Sequence, residues 1–334
     1  MFNRVFVEED ILNLPRTKKI LEHFKNVDHE IIHRIDDYFG RVKKPYLQKR
    51  DNLNLYIGKK RGQLVKEAPN AYGFGSDPHY YFIHSYNCIY ECEYCYLQGY
   101  FNSPDIVFFV NHEEIGEEIK RLSLEVHKEK RPWFHAGEFS DSLALSHITS
   151  DIEFYFDLFK ELPNSFLEFR TKSVNTKDLL KQKPLENIII SFSLSPSERT
   201  KKSDLGCPSS MTRIKAMRKV TNAGHKIAIH LDPIIYENNF EEKYEELIQE
   251  ILSSVDLTKI LYISVGVVRF TKDVYRQVTQ NYPKSDLLAM EFIKTADGKV
   301  RYPRPIRMKI LSKVKELLLK NGFKANQVYL CMED

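Results

Sequence analysis

The chain has 334 residues, of which 42% are hydrophobic and 29% charged, with 13 Gly and 14 Pro. These proportions exclude a fibrous or low-complexity chain and leave enough apolar material for one large domain or two ordinary ones. No apolar run is long enough for a membrane-spanning helix, and acids occupy the N-terminal stretch where a secretory leader would be apolar, so a cytoplasmic protein without a membrane is expected. Lys and Arg total 50 against 46 Asp and Glu, a net charge of +4. The excess is concentrated. Residues 41–66 carry nine Lys/Arg against Asp51, and residues 294–324 carry ten against Asp297 and Glu316. Two such stretches meeting in space would make an anion-binding face; separately they are ordinary solvated surfaces.

Taken in chain order, residues 1–78 read as a helical region, because 11–24 and 27–39 place apolar residues at three- and four-residue spacing. From residue 79 the texture changes to short β-rich runs at 79–84, 106–110, 132–135, 166–170, 187–193, 226–231 and 261–268. Amphipathic segments at 112–128, 148–161, 212–223 and 240–255 lie between several of them. Strand and helix in alternation predict parallel strands with crossover helices. The expected architecture over 79–290 is α/β, an open or partial (β/α)6 barrel of the TIM type, with its chemistry at the C-terminal strand ends. Residues 291–334 differ. Asp297-Gly298 predicts a tight two-residue hairpin turn between 292–294 and 299–302. A helix over 306–320 ending near Gly322 and a last strand within 327–332 follow.

The chain has five cysteines, and three of them, Cys88, Cys92 and Cys95, follow the 79–84 run within eight residues. An odd number so clustered is not a disulfide framework. Three thiolates on a loop leaving a strand can hold three irons of a [4Fe–4S] cluster, leaving the fourth iron open. Zinc on the three cysteines plus His84 is the competing reading, although structural zinc sites favour two separated ligand pairs. One strand later, Trp133-Phe134-His135 runs into Ala136-Gly137-Glu138-Phe139. Glu138 there is either a helix N-terminal acid or a ligand-facing carboxylate.

The three-then-two cysteine spacing is similar to that of the radical S-adenosylmethionine (SAM) enzymes. More specifically, Cys88-Ile-Tyr-Glu-Cys92-Glu-Tyr94-Cys95-Tyr96-Leu97-Gln98 resembles the cluster loop of the spore photoproduct lyase family. The likeness continues through Gly137-Glu138-Phe139-Ser140-Asp141-Ser142, Arg170-Thr171-Lys172-Ser173, Ser191-Phe192-Ser193 and the hairpin at 297–302, and so covers roughly residues 10–332. The resemblance implies a radical SAM fold and the repair of a UV-induced thymine photoproduct in DNA. It implies that Cys88, Cys92 and Cys95 hold the cluster. Glu138, Ser140, Lys172 and Ser193 would contact SAM, and Tyr94 and Tyr96 would relay a hydrogen atom. Lys299, Arg301, Tyr302 and Arg304 would contact damaged DNA, with Arg301 and Tyr302 as a wedge beside the flipped lesion. A flavodoxin or ferredoxin would supply electrons to a monomeric enzyme.

One departure is plain. Spore photoproduct lyases carry a hydrogen-donating cysteine just after the second strand, and the matching position here is Glu138. Cys331 in the terminal run is the expected substitute, with Cys207 a weaker one. The departure also leaves open a radical SAM enzyme acting on another DNA lesion, RNA, a peptide or a metabolite. A zinc-stapled nucleic-acid-binding protein is the reading from a different class.

Overall fold

A computed structural model describes residues 2–40, 52–69, 76–126 and 129–333. Its main element is an eight-stranded sheet. The spatial order is Val328–Leu330, Ile260–Val267, Lys226–Ile234, Ile188–Ser193, Phe166–Thr171, Trp133–Ala136, His79–Phe82 and Val65–Glu67. Every pairing is parallel except that of Val65–Glu67 with His79–Phe82. Six parallel strands follow one another in chain order from His79 to Val267, and the sheet stays open, as a partial barrel requires.

The helices His112–Glu125, Asp151–Lys160, Ser210–Asn222, Phe240–Ser254 and Arg304–Lys320 cross over between strands. Their apolar faces meet the outer face of the sheet, where Phe134, Leu167, Ile190, Ile229 and Val265 join Tyr155, Phe159, Met217 and Leu247 in one core. A sheet covered this way reads as continuous apolar runs rather than alternation.

The inner face is partly polar. Glu168 is fully buried and accepts hydrogen bonds from His135, Ser191, Tyr262 and, at 2.9 Å, His230. Arg170 Nη2 reaches the same carboxylate at 3.2 Å. Burial alone would raise this carboxyl, but Arg170 and the histidines hold it well below the usual range. An unpaired charge there would be prohibitively costly, so the network is a condition of burying Glu168 at all.

The N-terminal region corrects the helical expectation. Pro15–Glu22 is a helix, but 27–39 contains the strand Asp28–Ile32 and a single 3-10 turn, Ile35–Asp37. Asp28–Ile32 pairs in parallel with Arg4–Glu8, and its first four residues are exposed, Ile31 to 62%. The apolar spacing there therefore marks an edge strand, and pairing with a distant segment overrides the local pattern. The run at 106–110 is also reassigned. Ile106–Phe109 belongs to a second sheet of order Asp28–Ile32, Arg4–Glu8, Leu55–Gly58, Ile106–Phe109, Ser85–Tyr86. Ser85–Tyr86 therefore ties the approach to Cys88 to this second sheet.

At the other end, Ile293–Lys294 and Lys299–Arg301 form the predicted hairpin, extended by Arg269–Thr271. The turn is longer than two residues: the Thr295 amide donates to the Lys299 carbonyl at 2.8 Å, and of Asp297 and Gly298 only Gly298 has positive φ, 78°. Of the basic run at 41–66, Arg41, Lys43, Lys44, Lys49 and Arg50 lie outside the described residues.

Candidate active site

At the C-terminal ends of the first four barrel strands lies a cleft of about 570 Å³. Cys88, Cys92, Cys95 and Tyr96 wall one side, and Glu138, Ser140, Arg170, Lys172 and Ser193 the other. Residues from four strand ends, 105 positions apart in sequence (193 − 88), thus share one opening.

The cysteine loop is shaped by its own motif. The Cys95 amide donates to the Cys92 carbonyl at 3.0 Å, and buried Gln98 donates through Nε2 to the carbonyls of Cys92 at 3.2 Å and Glu93 at 2.9 Å. A short antiparallel pair, Glu91–Cys92 with Asp204–Leu205, anchors the loop from outside the motif. It brings the Cys207 Sγ to 3.8 Å from that of Cys92, a proximity the sequence did not signal.

The opposite wall depends on Gly137 and Asp141. Gly137 has φ 91°, and a side chain there would collide with Ser142 Oγ and the Arg170 carbonyl. Asp141 Oδ1 accepts from the amides of Leu143 at 3.0 Å and Ala144 at 2.9 Å and from the Thr171 hydroxyl at 2.6 Å, while Oδ2 accepts from the Lys172 amide at 2.7 Å. One carboxylate therefore locks the Glu138 loop to the strand end that carries Lys172. Asp141 and Arg170 stood inside the quoted motifs but were not singled out, because their role is visible only across strands.

Lys172 Nζ lies 5.4 Å from the centre of the Tyr94 ring. Burial alone would pull its pKa down, but neighbouring Cys92 and Asp204 hold the ammonium above the ordinary lysine value. Tyr94 donates its hydroxyl to Asp204, which pairs with Arg213 at 2.7 Å. Burial and that carboxylate push the phenol up, so Tyr94 stays protonated. Tyr96 donates to the Glu138 carbonyl, with Glu138 Oε1 at 3.4 Å.

The donor set fits an iron–sulfur cluster held by three thiolates. All three cysteines face one cleft, whereas His84 is drawn to Asp151, its Nδ1 3.0 Å from that carboxylate. Among the described residues, no three His, Cys, Asp or Glu side chains sit close enough to share a single ion. On the facing wall, the buried Ser140 Oγ has no hydrogen-bond partner within the protein, which suits a polar ligand in the cleft.

The family model described as Spore photoproduct lyase matches residues 1–323. The chain belongs to the spore photoproduct lyase family. This is a radical SAM family. The chain is 27% identical over 296 residues to spore photoproduct lyase of Bacillus subtilis (strain 168), covering 85% of this chain and 83% of that protein. It is 29% identical over 204 residues to spore photoproduct lyase of Geobacillus sp. (strain Y412MC61), covering 60% and 59%. Its fold is similar to that of a mutant spore photoproduct lyase solved with AdoMet and dinucleoside spore photoproduct, with a TM-score of 0.83 at 21% identity over 100% of this chain and 99% of that one. Spore photoproduct lyase complexed with dinucleoside spore photoproduct superposes with a TM-score of 0.82 at 21% identity, covering 99% and 98%.

Within this family framework, the hairpin residues depart from the expectation drawn from sequence. Tyr302 is fully buried, its ring centre 4.7 Å from that of Phe292 and its hydroxyl accepting from the Tyr236 amide at 3.3 Å. Arg301 is ion-paired to Asp297 at 3.1 Å and Glu333 at 3.2 Å. In this conformation Tyr302 is a core residue, buried in the main apolar cluster with Phe292 packed against it. Lys299 pairs with Asp297 at 3.5 Å, and Arg304, at the start of the last helix, is exposed. Tyr302→Ala is expected to cost about 3–5 kcal/mol of folding stability in urea denaturation. A loss below about 0.5 kcal/mol, the scale of exposed positions, would instead return the ring to the surface.

Cys331 directly follows the edge strand Val328–Leu330, is buried, and is not among the residues that line the cleft. Its amide donates to the Val265 carbonyl at 2.8 Å, and Arg269 Nη2 approaches its Sγ at 3.5 Å. Arg269 is fixed by Asp232 at 3.1 and 3.2 Å. Burial, reinforced by Asp232, pushes the Cys331 thiol up to about 11.

Proposed function

We propose that this protein splits SAM reductively and uses the resulting radical to repair a UV-induced thymine photoproduct in DNA. The observation that carries the reading is the single cleft in which three thiols face Glu138, Ser140, Lys172 and Ser193. The relative of the same fold solved with AdoMet and dinucleoside spore photoproduct supports it. A [4Fe–4S] cluster on Cys88, Cys92 and Cys95 would supply the electron that cleaves SAM to methionine and a 5′-deoxyadenosyl radical.

The chain's own residues then have distinct tasks. Lys172, kept cationic, binds the methionine carboxylate, and Glu138 takes the ammonium. Ser193 offers its hydroxyl to the remaining polar groups, and Ser140 offers them its oxygen as an acceptor. Cys331 returns the hydrogen atom: its S–H bond breaks, a C–H bond forms on thymine, the thiyl left behind takes a hydrogen atom from a tyrosine hydroxyl, and one electron from the flavodoxin or ferredoxin together with one proton restores the tyrosine. Tyr96, which lines the cleft, and Tyr94, its hydroxyl held by Asp204, are the tyrosines assigned to this relay. Arg304 and Lys299 approach the DNA backbone, and a flavodoxin or ferredoxin delivers the electron to a monomeric, cytoplasmic enzyme.

The presence of Glu138 where relatives place the donor cysteine favours one second reading, the same chemistry on a different substrate. A single assay separates the two. Anaerobically reconstituted, reduced protein is given SAM with and without UV-damaged thymine DNA. Cleavage that rises with the damaged DNA and restores thymine is expected; cleavage indifferent to DNA would discard the substrate and keep the enzyme class.

A further inference from the structure

Behind the cysteine loop is a small pocket whose lining includes His84, Asn87, Cys88, Ser140 and Ser142. Four buried polar atoms on its wall have no partner within the protein: His84 Nε2, Asn87 Oδ1, Ser140 Oγ and Ser142 Oγ. His84, Asn87 and Ser142 are only 7%, 1% and 2% exposed. Such atoms are costly to bury unless something in the cavity bonds to them.

The neighbouring contacts fix what each atom offers. Asn87 spends both amide hydrogens on the carbonyls of Ser103 at 2.7 Å and Asp105 at 2.8 Å, so its Oδ1 is left as an acceptor. His84 Nδ1 is 3.0 Å from the Asp151 carboxylate, and in the neutral ring the tautomer that donates there leaves Nε2 as an acceptor. The two serine hydroxyls can donate. Two acceptors and two donors around a space of water size are the complement of one water molecule.

We infer that a single water binds here and that, through it, His84, Asn87 and Ser142 position the Ser140 side of the SAM cleft against the cysteine loop. The geometry gives the water a task. His84 and Asn87 stand four and one residues before Cys88, and Ser140 and Ser142 two and four after Glu138. Gly137 leaves the room that Ser142 Oγ occupies, so the water, Ser142 and the positive-φ turn form one packed unit. The positioning role rests on the SAM reading above; the water site itself does not.

Two measurements test this. A high-resolution crystal structure is expected to show one ordered water within hydrogen-bond distance of all four atoms; a cavity without it overturns the site. Ser142→Ala and Asn87→Leu proteins are then reconstituted, and iron per chain is measured beside the EPR response of the reduced cluster to added SAM. Iron content near wild type, with roughly three- to tenfold more SAM needed for the half-maximal spectral change, is expected from one lost hydrogen bond. An unchanged SAM requirement in both variants overturns the positioning role. A wild-type protein whose spectrum ignores SAM would instead defeat the SAM reading, while the water in the crystal would stand.

Discussion

Cys92→Ala is expected to remove the brown iron–sulfur absorbance and, with it, SAM cleavage. Cys92 is 8% exposed and sits on the short strand that pairs with Asp204–Leu205, so its thiol is held in place by backbone pairing as well as by the loop. With Cys92 gone, two family-motif thiols remain for a cluster that needs three. Losses of at least about tenfold in bound iron are the scale expected when even supporting residues of a metal site are removed. The measurement is iron and sulfide per chain after reconstitution, with 5′-deoxyadenosine formation beside it. Full retention of both would refute the assignment. Partial iron that disappears in the Cys92→Ala/Cys207→Ser double variant would identify Cys207, 3.8 Å away, as a stand-in ligand.

Cys331→Ala is expected to uncouple cleavage from repair. The amount of 5′-deoxyadenosine formed per thymine restored should rise roughly a hundredfold, corresponding to about 2.7 kcal/mol in the hydrogen-return step. The reason lies in the thiol's surroundings. A hydrogen-atom donor must keep its S–H bond, and burial beside Asp232 pushes Cys331 up to about 11, above an ordinary cysteine. The sign follows: the protonated, competent form persists through neutral pH and is lost only as pH rises toward about 11. Thymine yield per cleavage should therefore stay flat through neutral pH in the native protein. A Cys331→Ala protein with the native ratio would remove Cys331 from the reaction and turn attention to Cys207.

Much of this enzyme was legible before any coordinates. The buried parallel strands announce themselves as short apolar runs, because their outer faces meet the helices, while inner-face groups such as Glu168 and His230 interrupt the pattern. The cysteine loop, Gly137-Glu138 and Lys172 follow strand ends in sequence, which is where a barrel concentrates its chemistry. Their meeting in one cleft followed from that placement. The hairpin shows the opposite case. Its basic, aromatic sequence looks exposed, yet Tyr302 packs under Phe292 and Arg301 is neutralised by Asp297 and Glu333, the second of these more than thirty residues away.

By itself the sequence carried the enzyme class, through three clustered cysteines and the resemblance of the motifs around Glu138 and Lys172 to those of the family. Tertiary structure alone decided the rest. It made 28–32 an edge strand, moved Ile106–Phe109 into a second sheet, buried Glu168 among His135, His230 and Arg170, and set Cys207 beside Cys92. Each of these depends on a partner far away in the chain, and the pairing energy that selects it has no local signature for a sequence pattern to carry.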